Sequence, residues 1–179
     1  MTDPVDHLDA VGELATALRG LDVEPILVGG MALVIVGSRR VTRDFDLVIP
    51  APGDRLGQVV DLLYDRKLEV ASRLNRDGEV TATISDRRVA AARLRIDRAE
   101  TAYCYDSRTG LRVDLLFDFP IAATTLAARA TRVRMGRHVL RVAGERDLLA
   151  LKRIAAVRRH APGDAEDIAF LERRLGNKG

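Results

Sequence analysis

The chain has a single cysteine, Cys104, and no tryptophan. One thiol excludes an internal disulfide and a cysteine-rich zinc cluster, which fits a reducing cytoplasm. Aromatic residues make up only 4%, so the core must be built from Leu, Val, Ile and Ala. The same scarcity disfavours a single-strand binder that stacks bases on aromatic rings. No apolar run approaches the roughly 18 residues of a membrane span. The opening MTDPVDHLDA lacks the basic start and apolar run of a secretory signal. The expectation is a cytoplasmic protein with no membrane partner. Lysine is nearly missing, occurring only at Lys67, Lys152 and Lys178, so the net charge of +3 rests on arginine. Arginine suits bidentate contacts to phosphate, although an Ala- and Arg-rich composition can also reflect coding bias. There are no repeats, low-complexity segments or interdomain linkers.

What is present is enough apolar material, 47% of 179 residues, for one domain with a sizeable core. The most informative stretch begins with Glu24–Val28 (EPILV), a short apolar run that reads as a buried strand. Gly29-Gly30 ends it, and MALVIV (31–36) reads as a buried helix. A glycine pair at a helix start permits close approach of a ligand, and free amides there suit an anion. Arg39, Arg40, Thr42 and Arg43 follow, and then Asp44-Phe45-Asp46-Leu47-Val48-Ile49, an apolar strand interrupted by two acids. Alternation puts Asp44 and Asp46 on one face, about 7 Å apart along the strand, with Phe45 and Leu47 on the other. Paired carboxylates repel, and a hard dication between them removes that cost. Either element alone has an ordinary explanation, as a chance loop or a surface D-x-D. Together they point to chemistry on a nucleoside triphosphate.

The rest of the chain reads as alternating helices and strands. Asp3-Pro4 suits a helix start for residues 4–20, which carry Leu8, Val11, Ala15 and Leu18 at helical spacing. Residues 54–67 read as a helix with Leu56, Val60 and Leu63 inward. Between 68 and 100 only a turn at Asp77-Gly78, a strand over 80–84 and a short helix over 86–94 are legible. The arginines there (Arg87, Arg88, Arg93, Arg95, Arg98) suit either a solvated face or a nucleic-acid groove. Residues 101–106 and 111–117 read as a hairpin about a Gly-containing turn. Asp114 lies within its second strand, where an unpaired charge is costly. A third carboxylate beside Asp44 and Asp46 resolves this and completes a two-metal site; an edge strand facing water is the alternative. Asp118 reads as a turn residue. Residues 120–130 read as a helix, and 131–135 and 138–142 as a second small hairpin.

Residues 145–158 form a clear amphipathic pattern in which Lys152 falls on the apolar arc. That lysine either snorkels or serves a triphosphate. After Ala161-Pro162-Gly163, Asp164 opens a last helix with Ile168, Leu171 and Leu175 on one stripe. Asp164 shares this stripe and Asp167 adjoins it. Acids in a first turn are ordinary dipole partners, an explanation that suits Asp164 better than Asp167.

The Gly-Gly and D-x-D pair resembles the signature of the nucleotidyltransferase superfamily. Its R-x-T-x-D-x-D form (Arg40, Thr42, Asp44, Asp46) is similar to the AbiEii-type nucleotidyltransferase toxins, which include the MenT toxins of type IV toxin–antitoxin systems. The run Asp147–Lys152 (DLLALK) and the later D-x-x-D-φ from Asp164 to Ile168 resemble that group's two downstream motifs.

The resemblance implies an α/β fold with a small mixed sheet of four or five strands carrying three acids. Residues 1–120 would form the core, and a helical part, 121–179, would close the cleft within one compact unit. It implies that Asp44 and Asp46 bind two Mg²⁺ (Mn²⁺ as the alternative ion) and that Asp114 holds the second ion and helps deprotonate an attacking hydroxyl. Gly29 and Gly30 would take phosphate oxygens. Lys152, with Arg40 or Arg43, would neutralise the departing pyrophosphate, and Asp167 would orient Lys152. The expected partners are an NTP, a tRNA 3′ end and a cognate antitoxin. Two other classes remain open, an aminoglycoside-type small-molecule nucleotidyltransferase and a non-catalytic nucleotide sensor.

Overall fold

A computed structural model describes residues 4–159 and 161–178 of the chain. The suggested cap at Asp3 lies outside the described residues. The chain runs α1 (Pro4–Arg19), β1 (Ile26–Val28), α2 (Gly29–Ile35), β2 (Asp44–Ile49), α3 (Leu56–Asp65), β3 (Glu69–Leu74), β4 (Val80–Thr83), α4 (Arg87–Ile96), β5 (Thr101–Tyr105), β6 (Arg112–Phe117), α5 (Ala123–Ala127), β7 (Thr131–Met135), β8 (His138–Val142), α6 (Glu145–Arg159) and α7 (Pro162–Gly176).

The strands form one mixed sheet of eight in the order β4-β3-β5-β6-β2-β1-β8-β7. That exceeds the four or five expected, for two reasons. Glu69–Leu74, in the stretch that gave no clear pattern, is β3, and it pairs with β4 and β5. Its residues EVASRL alternate only weakly, and its partner register is irregular. The second hairpin also joins the main sheet, because β8 lies parallel to β1 (Ile26↔Arg141, Leu27↔Val142). Residues 121–179 therefore contribute strands as well as helices.

At the centre, β2 and β6 run parallel, with β1 antiparallel to β2. Alternation sends Phe45, Leu47 and Ile49 of β2 into the core with Leu14 and Leu18 of α1, Leu63 of α3 and Leu115 of β6, all essentially without exposure. Burial of side chains this size contributes about 1.5–3 kcal/mol each. The opposite face of β2 carries Asp44 and Asp46. There α2 packs on β1 and β2, and α6 packs on α2 and α7.

Two helix boundaries differ from expectation. α5 covers only Ala123–Ala127 rather than 120–130. Asp118 sets its start, accepting hydrogen bonds from the amides of Ala51 and Ala123 at 2.8 Å each, so one turn residue ties the ends of β2 and β6 to α5. α7 begins at Pro162, since proline fits a first helical turn. The arginines of α4 are exposed. Arg87 bridges Asp61 and Asp65, and Arg93 pairs with Asp97. This is the solvated-face reading.

Candidate active site

The site grows from the register of β2 and β6. Asp44 stands opposite Arg112, and Asp46 opposite Asp114. Parallel strands lie about 4.8 Å apart, so the four side chains mark the corners of a small square of three acids and one guanidinium. They line a cleft of about 570 Å³ bounded by Gly29, Gly30, Arg40, Thr42, Tyr103, Phe119, Lys152 and Arg158 among others.

Gly29, at φ +68, is in the left-handed region that favours glycine. A Cβ there would sit 2.0 Å from Asp46 Oδ2, so the first helical residue is laid directly against the carboxylate. Gly30 forms the adjoining floor, where a Cβ would meet Thr42 Oγ1 at 2.9 Å and Arg40 Cζ at 3.1 Å. The side-chain Nε of Arg40 is buried here without a hydrogen-bond acceptor. A cradle that only glycine leaves open, beside an unsatisfied buried donor, fits a phosphate oxygen.

The acids fit a cation. Burial pushes the Asp46 carboxyl up to about 7, and the charges of Asp114 and Asp44 push the same way. Asp114 is only 6% exposed. Burial raises it too, although Arg112 opposes the shift by donating from Nε and Nη2 to its two oxygens at 2.9 and 3.0 Å. Among the described residues, no three acidic or histidine side chains form a cluster that could hold a metal as they stand. The donor set nevertheless fits a divalent ion: Asp44 and Asp46 offer hard oxygens whose mutual repulsion a dication relieves. Asp114 is engaged by Arg112.

The Asp46 shift has a consequence for stability. In the unfolded chain this carboxyl ionises near 3.8, in the folded one near 7. As pH rises between these values, the folded state holds a proton that the unfolded state has released, so folding stability declines and the loss is complete above about pH 7. Asp46→Asn removes the ionisation. Without divalent ions, the variant should melt at least about 3 °C above wild type at pH 8, the shift of roughly 1 kcal/mol in a domain of this size. No such gain is expected at pH 4. Thermal melts in EDTA at both pH values test this, and an equal gain at both would refute it.

Across the cleft lies a second charge network. Lys152 on α6 is only 7% exposed. Its Nζ pairs with Asp167 at 2.7 Å and Asp164 at 3.5 Å, both on α7. Arg40 pairs with Asp167, and Arg159 with Asp164 at 3.0 Å. Burial raises the Asp164 carboxyl, but Arg159 and Lys152 outweigh it and hold it below its ordinary value. Three cations face two acids, leaving a surplus positive charge next to the glycine floor.

The structure thus brings together Gly29, Gly30, Arg40, Thr42, Asp44, Asp46, Asp114 and Lys152 in the cleft, with Asp167 behind Lys152. Arg43 is exposed and does not line the cleft. Asp147, from the same run as Lys152, turns to Arg129 instead. Sequence reading missed Arg112 and Arg159. Arg112 was available from period two, because L-R-V-D places it on the same strand face as Asp114. Arg159 was not, since its partner sits across a helix break.

No family model matches the chain, and no curated protein does either. Solved structures do. The antibiotic-resistance factor ANT(2'')-Ia aligns over 98% of this chain and 88% of its own, with 11% identity and a TM-score of 0.62. An antigenic nucleotidyltransferase-like protein from Paracoccidioides brasiliensis aligns over 93% and 75%, with 18% identity and a TM-score of 0.60. The lincosamide antibiotic adenylyltransferase LnuA, bound to lincomycin, aligns over 92% and 95%, with 12% identity and a TM-score of 0.53. The chain has the nucleotidyltransferase fold.

Proposed function

We propose that the protein is a metal-dependent nucleotidyltransferase that moves a nucleoside monophosphate from an NTP to an acceptor hydroxyl. One observation carries the reading above all: Asp44, Asp46 and Asp114 share a sheet face beside a glycine floor shaped by Asp46 itself. In the reaction, the acceptor oxygen bonds to the α-phosphorus, the bond to the β-phosphate oxygen breaks, and pyrophosphate leaves. The Gly29-Gly30 floor, Thr42 and Arg40 would hold the triphosphate. The surplus charge of the Lys152 network would stabilise the negative charge gathering on the pyrophosphate. Asp44 and Asp46 would hold Mg²⁺, or Mn²⁺. Ions held there would withdraw charge from the entering and leaving oxygens. Asp114, at the acceptor end, would receive the hydroxyl proton on a carboxylate oxygen. In this reading residues 1–120 would be the transferase core that supplies the acids, and 121–179 the part that closes the cleft and supplies Lys152 and its carboxylate partners.

For the acceptor we propose a tRNA 3′ end, and for the cellular role a cytoplasmic toxin restrained by an antitoxin. The support is the R-x-T-x-D-x-D, Lys152 and D-x-x-D-φ series, together with the arginine-borne positive charge. Among the described residues, no helix is long and apolar enough to cross a membrane.

A small-molecule acceptor is the second reading, favoured by the fold shared with ANT(2'')-Ia and LnuA, two antibiotic-directed proteins. Incubation with α-labelled NTPs, Mg²⁺ and either total tRNA or a panel of aminoglycosides and lincosamides separates the two. Label should enter tRNA and vanish when its terminal nucleotides are trimmed. Label confined to a drug would reverse the assignment of acceptor and leave transfer standing.

A further inference from the structure

Arg112 uses its whole guanidinium. Nε and Nη2 take the two oxygens of Asp114 at 2.9 and 3.0 Å. Nη1 donates to the carbonyl of Gly78, in the turn between β3 and β4 that forms one wall of the cleft. The Tyr103 ring lies beside the guanidinium, 5.4 Å from its centroid to Cζ. The pair is largely shielded from solvent, with side-chain exposures of 16% for Arg112 and 9% for Asp114. A carboxylate gripped at both oxygens has its strongest acceptor positions filled. It cannot then serve a cation or take a hydroxyl proton with full strength.

We propose that Arg112 is an internal stand-in for a divalent cation at Asp114, and that the β3–β4 turn is its anchor. This rests on the nucleotidyltransferase reading of the cleft. Arg112 fills the fourth corner of the acid square, opposite Asp44 and two residues from Asp114, so its charge offsets those of all three acids. The Gly78 carbonyl gives it a fixed point outside the square. Swinging out about that point frees Asp114 and lets the three carboxylates converge. Arg112 is a positioning residue: it acts through Asp114 and sets when that carboxylate becomes available.

Removing Arg112 should therefore improve metal binding, the opposite of what loss of a purely structural ion pair would do. The probe is Mn²⁺ alone, titrated without nucleotide and followed by electron paramagnetic resonance. Arg112→Gln should bind Mn²⁺ at least about tenfold more tightly than wild type, the factor carried by about 1.4 kcal/mol. Arg112→Lys, which keeps the charge and loses the bidentate grip, should fall between them and serves as the reporter if the glutamine variant does not fold. Adding Asp114→Asn to Arg112→Gln should abolish the gain. Equal or weaker Mn²⁺ binding in both Arg112 variants would overturn the stand-in role. If Asp44→Asn with Asp46→Asn leaves wild-type Mn²⁺ binding unchanged, the reading of the cleft fails instead.

Discussion

Asp46→Ala should lower nucleotidyl transfer by at least about a thousandfold, or ~4 kcal/mol of transition-state stabilisation. It should also weaken the binding of NTP in the presence of Mg²⁺. Asp46 is the carboxylate on which most of the site converges. It stands opposite Asp114 in the register and lies 2.0 Å from where a Gly29 Cβ would be. Its charge is opposed by both other acids. Asp114→Asn should behave differently. It keeps the side-chain shape and leaves Asp44 and Asp46 in place, so Mg²⁺–NTP should bind nearly as well, while transfer falls by at least about a hundredfold, or ~2.7 kcal/mol. Calorimetry paired with single-turnover rates separates the two variants. A binding module would show no transfer to lose, and an Asp114→Asn protein with full transfer would defeat the three-acid mechanism.

Gly29→Val should also nearly eliminate transfer, with a loss of about a hundredfold or more. Two effects combine. A φ of +68 is strained for a β-branched residue, at a cost of roughly 1–2 kcal/mol. A Cβ would also meet Asp46 Oδ2 at 2.0 Å and Cγ at 2.8 Å, so the carboxylate must turn away from its position. The melting temperature should fall as well, by several degrees. Gly30→Val should differ in kind. Its Cβ would meet Thr42 Oγ1 at 2.9 Å and the Arg40 guanidinium, so NTP binding should suffer more than the placement of Asp46. Equal NTP affinity in wild type and Gly30→Val would remove the proposed phosphate floor.

The parts of this site that were legible in the sequence are those governed by short-range periodicity. Alternation in DFDLVI is enough to set Asp44 and Asp46 against Phe45 and Leu47, and the structure has the two hydrophobes in the core and the acids on the cleft. A 3.6-residue wheel is enough to turn Lys152 inward. The eight-stranded sheet was less accessible. β3 has no clean alternation to announce it, and the place of β8 beside β1 depends on a pairing between residues more than a hundred positions apart. The charge network followed the same division. The resemblance suggested Lys152 with Asp167 and with Arg40 or Arg43, and Arg40 does join from the loop before β2, but Arg159 joins from the end of α6, a meeting that no local pattern forecasts. Arg112 was within reach of the period-two rule, but an arginine in a strand more often faces water.

The measurement that bears most directly on the account is transfer itself. Wild type and Asp46→Ala should be incubated with each of the four α-labelled NTPs, Mg²⁺, and total tRNA or the drug panel, with release of pyrophosphate followed in parallel. Wild type should label one acceptor class and release one pyrophosphate for each nucleotide transferred, and Asp46→Ala should do neither. Labelling that is equal in wild type and variant, or wild type that binds NTP yet labels no acceptor and releases no pyrophosphate, would contradict the assignment of this cleft as a nucleotidyltransferase active site.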